Sequence, residues 1–174
     1  MNIDEMLEAV KKNIAPVVIK DNGTVAVHKS NTPQPAKKAE CTGVNLKIAK
    51  EVVFAVEEAA KAMNVNVVVA VVNSGANLVA LEAMDNSYIA SIKAAQDKAY
   101  TAMALKMPTQ TALEQSRGGA LDGLTNGNGI LLLGGGEPLA MDGVIFGAVG
   151  VSGGTKEQDI ALAQIGAKIF ELRN

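Results

Sequence analysis

The chain has 174 residues, 16 Lys and Arg against 18 Asp and Glu, a net charge of −2, three Phe, two Tyr and no Trp. That length suits one domain with an appendage. The interspersed charge offers no basic face to nucleic acid or anionic lipid, and so few aromatics leave no stacking platform for single strands.

Residues 1–40 read as the appendage. Ile3, Met6, Leu7, Val10 and Ile14 recur at helical spacing and make a short amphipathic helix that Pro16 stops. Asp21-Asn22-Gly23 between two apolar runs signals a hairpin, and the polar, proline-bearing stretch Lys29–Glu40 reads as an extended linker. The main domain is expected over 41–174. Thr42 can cap a helix over 43–63, whose stripe runs Ile48, Ala49, Val52, Val53, Val56, Ala59, Ala60 and Met63. The unbroken β-branched run Val67–Val72 predicts a strand covered on both faces, followed through Asn73–Asn77 by a second strand, Leu78–Leu81. A helix over 87–106, with Asp85 as its cap, ends before Pro108. After a glycine-rich loop, Thr109–Gly129, with a possible helical turn over 111–115, three strands are expected: Ile130–Leu133, Leu139–Met141 and Val144–Val151. Asp142-Gly143 makes the last two a hairpin. The closing helix, Lys156–Leu172, buries Ile160, Ala163, Ala167 and Phe170. Strands arriving as hairpins argue for an α+β fold: a mostly antiparallel five-stranded sheet packed with helices, not a doubly wound parallel one.

The run Gly147-Ala148-Val149-Gly150-Val151-Ser152-Gly153-Gly154-Thr155 carries an apolar strand through a tight turn into a helix. Backbone N–H groups of Gly153, Gly154 and Thr155 would sit at a helix N-terminus, a natural seat for a carboxylate or phosphate. The same pattern also serves as a structural turn, and Thr155 with Gln158 fits a capping box.

The residues from Asn64 onward resemble the GlcG/HbpS family, which includes the C-terminal domain of PduO-type proteins. The resemblance rests on Val69–Ala80, Met84-Asp85, Ala90-Ser91-Ile92, Asp97–Ala102, Gly134-Gly135-Gly136 and Gly147–Gly154, and covers about residues 42–172. It implies a profilin-like α/β sandwich, a homo-oligomer, and haem as the cofactor of several relatives, some of them encoded with glycolate or propanediol utilisation. Two departures stand out. Relatives commonly carry Arg where this chain has Ala83, and often Asp where it has Asn73. The adenosyltransferase half of a full PduO protein has no counterpart here, so that activity is not expected.

Ser91, Ala94, Lys98 and Thr101 share one face of the second helix. Lys98 is the candidate partner of a haem propionate or substrate carboxylate, with Thr101 beside it; the plain alternative is a solvated Lys and a Thr bonded to its own backbone. Asp97 and Lys93 make an i, i+4 pair. His28, the only histidine, is the candidate axial ligand of haem iron, although it lies in the appendage. Cys41, the only cysteine, permits no internal disulfide and suggests a reducing compartment; with no signal peptide or membrane span, the expected location is the cytoplasm. The residues 1–14 resemble encapsulation peptides, which makes a bacterial microcompartment shell protein a candidate partner. Three functions compete: a haem- or small-ligand-binding accessory protein, a small-molecule lyase or isomerase using Lys98 and Asp85, and an oligomeric interaction module without a ligand.

Overall fold

The computed structural model of the protein describes residues 43–173. In chain order these form α1 (Leu46–Ala62), β1 (Val68–Asn73), β2 (Leu78–Ala83), α2 (Ile89–Leu105), α3 (Thr109–Gln115), β3 (Gly136–Met141), β4 (Val144–Ser152) and α4 (Lys156–Glu171). The strands build one antiparallel sheet in the order β2-β1-β4-β3. β1 therefore lies inside the sheet, and its side chains alternate between two cores. Val69 and Val71 join α1 and α4 on one face, whereas Val68, Ala70 and Val72 meet Ala95, Ala99 and Ala102 of α2 on the other. The continuous apolar run is the signature of that double cover. Each Val, Leu or Ile buried this way contributes about 1.5–3 kcal/mol.

Small residues decide how closely α2 approaches. A Cβ on Gly150 of β4 would lie 2.1 Å from the carbonyl oxygen of Ala95 and 2.5 Å from the amide nitrogen of Ala99. Glycine at this strand position is what lets helix backbone rest on strand backbone. The Asp142-Gly143 hairpin forms as expected, both residues with positive φ (50° and 77°).

The sheet has four strands among the described residues, not five. Ile130–Leu133 makes only an isolated bridge, Gly127 with Ile130. The reason is competition for its backbone donors: Leu131 N–H donates to Thr101 Oγ1 (2.8 Å) and Leu132 N–H to Asn126 Oδ1 (2.7 Å). Side-chain acceptors have taken the place of a neighbouring strand. Two caps also differ. Asn45, not Thr42, caps α1, its Oδ1 accepting from Ile48 N–H (3.0 Å). Asp85 does not cap α2, which begins after Tyr88 without a side-chain cap. Residues 85 and 86 instead form a turn closed by Ser87 N–H on Met84 O, with Asn86 at φ 64°. Of the closing helix's expected core, Ala163 and Phe170 are buried, but Ile160 and Ala167 are only half-buried. The N-terminal helix, hairpin and linker expected over 1–40 lie outside the described residues.

Candidate functional site

The face of α2 bearing Ser91, Lys98 and Thr101 turns inward onto the sheet, and all three side chains are buried. Lys98 Nζ donates to Asp159 Oδ2 (2.7 Å) and to the carbonyl of Val151 (2.8 Å). The carboxylate expected opposite Lys98 is thus one the chain itself provides. Burial draws Lys98 down from the usual lysine range and pushes Asp159 up; their mutual attraction opposes both shifts, as do the Gly153 and Gly154 amides on Asp159. Thr101 donates to Asp97 O (2.7 Å) and accepts from Leu131. Asp97 also pairs with Lys93 on the outer surface.

The glycine turn is filled in the same way. Gly154 N–H donates to Asp159 Oδ1 (2.9 Å), and Gly153 N–H also bonds the Asp159 carboxylate. Thr155 N–H donates to Gln158 Oε1 (2.9 Å) while Thr155 Oγ1 accepts from Gln158 N–H (3.2 Å), completing the capping box. The anion seat exists, and the anion in it is the side chain of α4's own first turn. Gly135 closes the node. It has φ +111°, and a Cβ there would lie 2.7 Å from Val151 O, 2.9 Å from Asp159 Cβ and 3.1 Å from Lys98 Nζ. Both glycine runs therefore fold around one buried ion pair.

Three functional groups escaped the sequence reading. Asp159 was legible only as an acid in the first turn of a helix, a position favoured by the helix dipole. Thr109 joins α3 to the start of β3, accepting from Gly136 N–H (2.9 Å) and donating to Leu133 O (2.7 Å). Glu137 is 9% exposed on β3, and burial raises its carboxyl to about 7 against a hydrogen bond from Gln164. No local pattern marks a strand glutamate as buried.

Asn73 proves to be a turn organiser: its Oδ1 accepts from the backbone N–H of Gly75 (2.9 Å) and Asn77 (3.1 Å). An aspartate would supply the same acceptor. Asp85 lines a hollow of about 480 Å³ with Glu57, Lys61, Asn66 and Ala83. Lys98 does not line that hollow, so Asp85 and Lys98 do not share a reaction chamber there. Among the described residues no group of three or more His, Cys, Asp or Glu could hold a metal ion, and no helix is long and apolar enough to cross a membrane. His28 lies outside the described residues.

The outward side of α2 contrasts with its inward one. Tyr88 and Ile89 are 72% and 88% exposed, and Ile92 and Tyr100 are partly exposed farther along the same flank, with Gln96 between them. Single exposed apolar residues are ordinary, but Tyr88 just before α2 with Ile89, Ile92 and Tyr100 on it make a surface able to meet an apolar partner.

Residues 44–168 match the family described as haem degrading protein HbpS-like, and the chain belongs to that family. It is 39% identical over 137 residues to a 15.0 kDa protein encoded between dhaT and dhaS in Citrobacter freundii, covering 77% of this chain and 96% of the relative. It is 33% identical over 136 residues to the corrinoid adenosyltransferase PduO of Salmonella typhimurium, 75% of this chain but only 40% of that protein's length. In three dimensions it resembles the crystal structure of a PduOC–haem complex, with a TM-score of 0.68 and 30% identity over 73% of this chain and 94% of that one.

Proposed function

We propose that this chain is a haem-binding accessory protein that works as a homo-oligomer in propanediol- or glycolate-type metabolism. The observation that supports this most is the likeness to a relative crystallised with haem, joined to the exposed apolar flank of α2. A porphyrin needs a flat apolar cover and an axial donor. Tyr88, Ile89, Ile92 and Tyr100 fit the cover, and His28 is the proposed axial donor. Haem, when held, supplies the iron and the conjugated ring; the chain binds and orients it. Lys98, Thr101, Gly153, Gly154 and Thr155 belong to this reading as the frame beneath the helix. Their polar groups bind within the fold, keeping α2 fixed while its outer side meets the ring.

The same strip supports the oligomer, because a second copy placed over it would enclose the ring. Residues 1–14 are proposed to address the protein, from the cytoplasm, to the shell of a microcompartment. Unchanged localisation after their removal would overturn that part.

Titration of haemin into the apo-protein should give a saturable Soret band. Ile89→Asp should weaken binding at least tenfold, and His28→Ala should move the Soret maximum. Absence of saturable binding would overturn the reading. If the oligomer nonetheless persisted, and neither haem nor metabolites raised its melting temperature, an interaction module without a ligand would take its place.

A further inference from the structure

A second hollow, of about 380 Å³, opens between β3 and α4, away from the outer flank of α2. Its charged walls are Glu137 of β3, Asp142 of the hairpin turn, and Lys168 and Glu171 of α4, while Pro138, Met141 and Ala167 supply apolar surface. Lys168 bonds Glu171 across one helical turn (2.6 Å), and both remain about half exposed. Lys98 and Asp159, on elements that also pack against β3, satisfy each other. Among the described residues no cation is therefore committed to Glu137. Glu137, 9% exposed as a residue, lines the hollow, and its carboxylate has Gln164 as a donor. A carboxylate offers about four acceptor positions, and among the described residues Gln164 donates to this one. The volume lies within the range of small-molecule sites.

We infer that this hollow is a binding site for a small alkylammonium ion, its charged end on the Glu137 carboxylate and its carbon chain against Pro138, Met141 and Ala167. The sign of the ligand follows from the walls: three carboxylates face one ammonium, and that ammonium is already paired. The apolar portion follows from the remaining lining. A metal ion is the poorer fit, since the described residues gather no cluster of three ligating groups.

The test is calorimetric titration of the full chain with n-butylammonium, using 1-butanol and butyrate as neutral and anionic controls. Saturable binding is expected for the ammonium alone. Glu137→Gln, which keeps the shape and removes the charge, should weaken it at least tenfold. Lys168→Glu, on the exposed rim, should strengthen it about threefold and serves should the first variant fail to fold. Near pH 7 Glu137 is partly protonated, so binding should release a fraction of a proton, seen as a dependence of apparent enthalpy on the buffer. Glu137→Gln should abolish that dependence. No saturable binding, equal binding of butanol, or indifference to both substitutions would overturn the inference. So would dissociation of the oligomer by n-butylammonium in sedimentation, which would assign the hollow to a lysine of a second copy.

Discussion

Two buried carboxylates in this molecule meet opposite circumstances. Asp159 sits at the join of β4, α2 and α4 with Lys98 2.7 Å away and glycine amides on its other side. Glu137, on the edge strand, has Gln164 and a hollow. The first is a closed structural device and the second an open one. A buried carboxylate that the fold pairs with its own cation is explained by structure, whereas one with no counter-charge among the described residues is a candidate for a ligand.

The sharpest way to break the comparison is to unpair Asp159. Lys98→Met should cost about 3–5 kcal/mol in urea denaturation, because a lone buried carboxylate remains. Combining it with Asp159→Leu should recover part of that loss, because the lone charge is gone while the Gly153 and Gly154 amides lose their acceptor. If the single substitution were neutral, the pair would not hold the two glycine runs together.

Glu137 should act in the reverse direction. Its carboxyl stands at about 7 in the fold against 4.5 as the ordinary value. The folded state therefore binds more protons at this group between those values, and the contribution of Glu137 to stability is fully present below about pH 4.5 and is lost as pH rises through 7. At about 1.4 kcal/mol per unit the total is on the order of 3 kcal/mol. Glu137→Gln should flatten that dependence, leaving the variant more stable than the wild type at pH 8 and similar at pH 4. Thermal melts across this range check it.

Smaller effects test the surroundings of the closed site. Thr101→Val removes the acceptor of Leu131 N–H and should cost about 1–2 kcal/mol, with faster amide exchange at Leu131. Thr155→Ala removes one half of the capping box and should cost about 1 kcal/mol.

Much of the architecture was legible because it follows from periodicity. The buried stripe of α1, the doubly covered β1, the Asp142-Gly143 hairpin and the Thr155 box all follow from local pattern. What pattern cannot carry is the choice between chemically equal partners. A strand-like run at Ile130–Leu133 gave its amides to Thr101 and Asn126, which lie outside that run. The polar face of α2 suggested either a ligand site or a solvated surface because Ser91, Lys98 and Thr101 are polar, and it is buried because Asp159, 61 residues beyond Lys98, neutralises the lysine. Pairings across such separations leave no periodic trace.

The backbone contact at Gly150 has a mechanical corollary. Where a methyl group would meet Ala95 and Ala99 within 2.5 Å, the second helix has no slack in which to roll or slide on its strand. Around Ala95 and Ala99 it behaves as a fixed wall against the sheet. A motion that displaced this helix would therefore have to carry β4 with it, the two moving as one body.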